Sequence, residues 1–251
     1  MQQLIEWAVG VTTVQARLNT LLPATLNSLA AGGFGGLLRL FVDGCRDPKS
    51  VEEWCKLPVS TRSQQLGIAG SWMLTLHELY LRQPRADYYL IFQDDVAVLK
   101  NLRHYLEQSP LPRAAFGNLF LARGPHKVLK ARWPKVPVGW HKSDQKCRGA
   151  QGLLFPNPAA RALLLSTFAN NWPNTVKGDR NVDGMIVQAM NQAGYDEWVH
   201  CPTLCEHTGR LSTVGHGIME SVDTWRGEDY DSLELLEGPC PTTRRQAKGG
   251  A

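Results

Sequence analysis

The sequence predicts an α/β fold: a mostly parallel central sheet with helices on both faces. Three observations predict it. Apolar strand-like runs alternate with helix-period segments along most of the 251 residues. No internal repeat is visible, so the alternation belongs to one sheet rather than to a stacked array. The run Tyr88-Tyr89-Leu90-Ile91-Phe92-Gln93-Asp94-Asp95-Val96 is an apolar strand that ends in two adjacent carboxylates. A strand of that kind delivers chemistry at its carboxyl end, where ligands sit in α/β sheets.

The elements follow in order. Residues 8–13 read as a first buried strand, followed by a turn over 14–17. Thr20 is placed to cap a helix running to about Ala31, where Gly32-Gly33 provide the stop. A second strand over 37–42 ends in Asp43-Gly44, and 48–60 reads as an irregular connection. A helix over 63–81 carries Leu66, Met73, Leu76 and Tyr80 at core-compatible spacing, with Gly67 and Gly70 permitting close approach. Beyond the Asp94-Asp95 strand come a short helix over 101–107 and a strand over 116–122. Pro125, Pro134 and Pro137 make 123–148 more loop than element. A strand over 149–155 enters a helix at Asn157-Pro158. A further helix covers 182–193, with Val182, Ile186, Ala189 and Ala193 on one face. A late strand spans 198–201. Residues 1–238 therefore read as one domain, with 123–148 as a basic insertion and 239–251 as a flexible tail.

Composition narrows the function. Hydrophobic content of 43% and charged content of 20% suit a globular chain and exclude a disordered one. No run of 18 apolar residues is present and the N-terminus lacks the pattern of a secretory signal, so the expected location is cytoplasmic. Six scattered cysteines then read as free thiols. The segment His200-Cys201-Pro202-Thr203-Leu204-Cys205-Glu206-His207 holds potential zinc ligands, but without a standard spacing or a second knuckle. There is no Gly-x-Gly-x-x-Gly after the first strand and no Walker sequence, which disfavours dinucleotide oxidoreductases and P-loop enzymes.

Charge is patterned. Residues 123–148 hold eight Lys/Arg against one acid, interleaved with Trp133 and Trp140, whereas 220–237 hold seven acids against one Arg. Cations with flat aromatics suit a phosphate backbone and unstacked bases, and a solvated loop is the plainer alternative. At Asp94-Asp95 the two charges repel and are costly to desolvate. A divalent cation compensates them most simply, Mg²⁺ or Mn²⁺ by the hardness of the ligands, and such an ion could hold the diphosphate of a nucleotide-sugar. An acidic turn at the sheet edge is the alternative.

Taken together, an ordered series of weak motifs over about residues 7–217 resembles glycosyltransferases of the GT-A fold. Val9-Gly10-Val11-Thr12-Thr13 with Arg17 and Leu26–Phe34 resemble their opening. Gln93-Asp94-Asp95 stands at their Asp-x-Asp-type metal motif, with Gln93 where many members have an acid. Gly149-Ala150-Gln151-Gly152-Leu153-Leu154-Phe155-Pro156 resembles the acceptor-side strand, and His207-Thr208-Gly209 the late histidine segment. The resemblance implies Asp95 and His207 as metal ligands and Asp94 at the ribose or a metal-bound water. It implies Thr12, Thr13, Arg17, Asp43 and Arg62 around the donor, expected to be a UDP-sugar, with Arg210 or His216 assisting the leaving diphosphate. It implies Asp183, with Asp179 as competitor, as the base that deprotonates the acceptor; a direct Asp base implies inversion.

Arg132, Trp133, Trp140, His141, Lys142 and Gln151 are the expected acceptor contacts. The favoured acceptor is DNA bearing a hydroxymethylated pyrimidine, the cations following phosphates while aromatics stack on an extruded base. The alternatives are a cytoplasmic transferase for surface polysaccharide or lipid-linked glycan, whose basic segment would meet anionic headgroups, and a non-catalytic nucleic-acid-binding protein on the same fold.

Overall fold

The computed structural model describes residues 4–146, 149–171, 182–209 and 222–237. Among them, the first half contains β1 (Trp7–Val14), α1 (Leu22–Ala31), β2 (Leu38–Asp43), α2 (Pro48–Trp54), β3 (Val59–Thr61), α3 (Gly67–Arg82), β4 (Tyr88–Gln93), β5 (Val96–Val98) and α4 (Leu102–Gln108). The second half contains β6 (Ala115–Asn118), α5 (Arg123–Arg132), β7 (Gly139–Lys142), β8 (Gly152–Pro156), α6 (Asn157–Leu164), α7 (Thr167–Asn171), α8 (Val182–Gln192), β9 (Asp196–Cys201) and β10 (Cys205–His207).

Eight of these strands form one sheet in the order β3-β2-β1-β4-β8-β6-β9-β7. The pairings β3–β2, β2–β1, β1–β4 and β6–β9 are parallel. Those of β8 with β4 and β6, and of β7 with β9, are antiparallel. Period-2 alternation sorts the apolar strands between two cores. Leu90 and Phe92 of β4 face a core with Leu22 and Leu29 of α1 and Leu102 and Leu106 of α4. Tyr89 and Ile91 face Trp72, Met73 and Leu76 of α3, Leu163 of α6 and Ile186 of α8. The α/β fold with helices on both faces is therefore as expected, as is the stop after α1, where Gly33 adopts φ +90°.

β5 departs from the large sheet. It pairs antiparallel with β10, with His207 opposite Val96. On its other side the hydroxyls of α1 take the place of a strand. Thr25 Oγ1 donates to the Asp94 carbonyl at 2.8 Å and accepts from the Val96 amide at 3.1 Å. Ser28 Oγ accepts from the Val98 amide at 2.8 Å. Buried backbone groups are thereby satisfied without a neighbouring strand.

Several sequence expectations need correction. Residues 48–60 are not irregular: Pro48 opens α2 behind an Asp47 cap, and β3 follows. Thr20 does not cap α1; its hydroxyl donates to the Arg17 carbonyl, and Leu21 stands at the cap. The third helix begins at Gly67 rather than 63, because the Asp43 carboxylate, from β2, accepts the Leu66 and Gly67 amides. Within 123–148 lie α5 and β7, since Pro125 falls in the first turn of α5, where no amide donor is needed. For the acidic segment the sequence sets no expectation; its residues 222–237 pack against the body. Ser232 Oγ donates to the Lys100 carbonyl, Asn101 binds Asp231, and Asp223 pairs with Lys130 of the basic segment. The expected tail over 239–251 lies outside the described residues.

Cys45, Cys55, Cys201 and Cys205 are free and buried. The His200–His207 segment holds no zinc cluster among the described residues. No helix there is long and apolar enough to cross a membrane.

His200 serves packing instead. It is fully buried, with Nδ1 at 2.7 Å from the Pro202 carbonyl and Nε2 at 2.6 Å from the Tyr105 hydroxyl. A carbonyl only accepts, so Nδ1 carries the proton and Nε2 accepts from Tyr105. Burial pushes its pKa down to about 4. The unfolded chain, titrating near 6.5, then binds the extra proton as pH falls, so stability is lost below that value. Urea denaturation should show about 2 kcal/mol less stability from this group at pH 5.0 than at pH 7.5. His200→Gln should be less stable at pH 7.5 and show a shallower pH dependence; identical pH slopes would refute the assignment.

Candidate active site

The strand order fixes where a ligand can sit. From β1 the chain winds outward to β2 and β3, then returns to β4 on the other side of β1. The carboxyl ends of β1 and β4 thus flank a switch point, the usual crevice of an open α/β sheet. β1 contributes Thr12 and Thr13, and β4 leads into Gln93, Asp94 and Asp95, Thr12 lying opposite Gln93. β2 adds Asp43. β8 runs antiparallel to β4, so its start lies at the same end, where the Gln151 carbonyl accepts the Gln93 amide at 3.1 Å.

Asp94 and Asp95 occupy the bend between β4 and β5, and both are buried. Asp94 Oδ2 accepts from the Thr13 hydroxyl at 2.5 Å, and Oδ1 lies 2.6 Å from Arg17 Nη1. The same nitrogen is 3.0 Å from Asp95 Oδ2. The β5–β10 pairing brings His207 Nε2 to 3.2 Å from that oxygen, and the Thr208 amide donates to the Asp95 carbonyl at 2.8 Å.

The two carboxyls shift in opposite directions although both touch Arg17. Burial lifts Asp94 above the usual range, more than Thr13 and Arg17 lower it, and the neighbouring Asp95 charge adds to the rise. Burial pushes Asp95 up as well, but the His207 hydrogen bond and charge, with Arg17, outweigh it and hold Asp95 low. The hydrogen bond to Asp95 raises His207 against the opposing effect of burial. The extra cationic partner explains the difference.

The donor set fits a divalent cation of the Mg²⁺ or Mn²⁺ kind. Asp95 Oδ1 is buried with no hydrogen-bond partner among the described residues, which is an acceptor left for an ion. Gly209 keeps space beside the other oxygen and His207: a Cβ there would come within 2.8 Å of Asp95 Oδ2 and 3.1 Å of His207 Nε2. Among the described residues no three or more His, Cys, Asp or Glu are grouped to hold a metal. Mg²⁺ is commonly bound through one or two carboxylates together with substrate phosphates, so a small set of protein ligands does not by itself exclude an ion here.

The other expected residues fall into three sets. Thr12 donates to the Phe92 carbonyl at 3.3 Å, and Asp43 is committed to the α3 amides, its carboxyl raised by burial. Arg62, just past β3, lies against Glu78 and over the Phe41 ring, and burial lowers its pKa. Asp183, in the first turn of α8, accepts from the Gly149 amide at 2.6 Å, close to the β8 start. Gln151 is buried there, and its Oε1 has no partner among the described residues. Asp179, Arg210 and His216 lie outside the described residues.

Arg132, Trp133, Trp140, His141 and Lys142 are not brought to the carboxylates. β7 is the edge strand, four strands from β4, about 19 Å at ordinary strand spacing. Their side chains also have local partners. Trp140 Nε1 donates to the Ser109 carbonyl, His141 binds the Pro137 carbonyl, Lys142 pairs with Asp196, and Arg132 covers Trp133. Sequence reasoning missed Thr25 and the role of Gly209. Thr25 had one signal, a hydroxyl three residues from Ser28 on the apolar face of α1; Gly209 had none.

No family model matches the chain and no curated protein matches it in sequence. Its fold is similar to that in the crystal structure of GalNAc-T7 with UDP, GalNAc and Mn²⁺. The TM-score is 0.60 at 12% identity over 86% of this chain and 45% of that one. The chain thus spans under half the length of that protein. At this identity the likeness shows the fold, a GT-A-like arrangement, and no more. A cytidylyltransferase from Leptospira borgpetersenii serovar Hardjo-bovis (strain JB197) matches at TM-score 0.47 and 8% identity over 93% of each chain, too distant to argue from.

Gly209→Ala tests the fit of the site. The added methyl should lower Mn²⁺ affinity at least about tenfold, measured by the electron paramagnetic resonance signal of free Mn²⁺, since ligand geometry tolerates little displacement. Unchanged affinity would show that the ion does not lie beside Gly209.

Proposed function

We propose that this chain is a metal-dependent glycosyltransferase, moving a sugar from a nucleotide-diphosphate sugar, a UDP-sugar foremost, to an acceptor hydroxyl. One observation carries the reading. A buried aspartate pair at the switch point has His207 beside it and an unpartnered Asp95 oxygen. Mn²⁺ or Mg²⁺ on Asp95 and His207 would neutralise the diphosphate as it departs, and the nitrogen ligand favours Mn²⁺.

The chain's own residues do the rest. Thr13 fixes Asp94 in one rotamer, so that its carboxylate can meet a ribose hydroxyl or a metal-bound water. In this reading Thr12, Arg17, Asp43 and Arg62 would serve the donor. Asp183 takes the proton of the acceptor hydroxyl as that oxygen attacks the anomeric carbon, and the Gly149 amide orients its carboxylate. A direct base of this kind gives inversion. Asp179 is the other candidate for the role. Residues 1–238 act as one transferase domain in this reading.

The basic segment supports a polyanionic acceptor, with hydroxymethylated pyrimidine in DNA as the specific case. An acceptor touching both α5–β7 and Asp183 must be chain-like, because β7 lies at the sheet edge. Its attraction to the segment would weaken steeply with salt.

The test is turnover of a UDP-sugar panel with Mn²⁺, with products read by mass spectrometry. Slow hydrolysis without acceptor should appear and fall at least about 100-fold in Asp95→Ala or with chelator. Absence of any turnover would overturn the transferase reading. A glycosylated saccharide or lipid with unmodified DNA would overturn the DNA acceptor alone.

A further inference from the structure

Arg17 Nη1 bridges the two carboxylates, 2.6 Å from Asp94 Oδ1 and 3.0 Å from Asp95 Oδ2. One guanidinium nitrogen therefore occupies the place of a cation shared by the pair. Asp94 would not lose its only partner if Arg17 left, because Thr13 holds its other oxygen. Asp95 Oδ2 would still face His207. Arg17 itself sits in the single 3₁₀ turn Gln15–Arg17 directly after β1, rather than inside a packed helix or strand.

From this arrangement we propose that Arg17 is an exchange cation: it balances the aspartate pair in the free protein, and gives up its hold on Asp95 when the divalent ion binds that carboxylate. It then turns to the diphosphate of the donor. The inference rests on the metal site proposed above. Its physical basis is charge. A guanidinium and a divalent ion sharing Asp95 repel each other through a poorly screened, buried path. A diphosphate entering the crevice offers the guanidinium a fork of oxygens that it matches bidentately. Arg17 thus opposes the ion when no nucleotide is bound and favours the nucleotide once the ion is in place. It makes the two ligands bind with positive coupling. A fixed structural bridge would do neither.

The test uses the full chain, Mn²⁺ and UDP. In Arg17→Gln, Mn²⁺ affinity without nucleotide should rise about fivefold to tenfold, while UDP affinity at saturating Mn²⁺ falls about tenfold. Arg17→Lys keeps the charge and should stay within about threefold of wild type for Mn²⁺. A parallel measurement needs no variant: phenylglyoxal modification of Arg17, read by peptide mass spectrometry, should speed up with Mn²⁺ alone and slow with Mn²⁺ plus UDP. Opposite signs in the two affinities, together with this reactivity pattern, support the exchange. Affinities that fall together, an unchanged Mn²⁺ affinity, or Arg17 reactivity indifferent to Mn²⁺ would overturn it, leaving the transferase reading intact. Wild-type Mn²⁺ binding no stronger than that of Asp95→Ala would overturn both.

Discussion

Two adjacent carboxylates buried at the end of an inner strand are the constraint around which this protein is organised. Unpaired, each would be strongly disfavoured in such a place. The chain compensates them from three directions. Thr13 comes from the neighbouring strand β1, Arg17 from the turn after it, and His207 from a short strand late in the chain, while Thr25 of α1 holds the Asp94 backbone carbonyl. The parallel β1–β4 pairing sets the first two, since it fixes Thr12 opposite Gln93 and so Thr13 beside Asp94.

The bend after β4 is what gives His207 its position. Had β5 continued in the large sheet, its edges would have been paired there. Instead it turns away, β10 pairs with one side, and Thr25 and Ser28 satisfy the other. The same departure leaves Asp94 and Asp95 at a corner, where their side chains meet the crevice instead of the core. Gly209 follows directly and keeps the corner open. Among the described residues compensation is incomplete at Asp95 Oδ1, and that atom is the strongest pointer to a cation.

Much of this was legible in the sequence, and the reasons are physical. The inner strands are continuous apolar runs, so β1, β2 and β4 stood out within a residue or two. The Asp94-Asp95 pair announced itself because charge at the end of such a run demands a partner. α2, β3, α5 and β7 were obscured because prolines and charges look like loop, although Pro48 and Pro125 fall where a helix tolerates them. The start of α3 was hidden because its cap comes from Asp43, distant in sequence. In the chain 123–148 lies between the Asp94-Asp95 strand and the Gly149 strand, whereas the strand order sends β7 to the far edge. Adjacency in a mixed sheet is not adjacency in sequence, and nothing local in that segment records it.

The likeness to a solved structure shows how the chain is arranged and no more; the proposed cation rests on the corner at Asp95. The most direct measurement is a crystal structure with Mn²⁺ and UDP, the ion located by its anomalous scattering. The peak should lie on Asp95 and His207, with the diphosphate completing its ligands and Arg17 turned away from the pair. A well-occupied UDP with no peak at Asp95, and Arg17 still bridging both carboxylates, would contradict the metal site and the mechanism built on it.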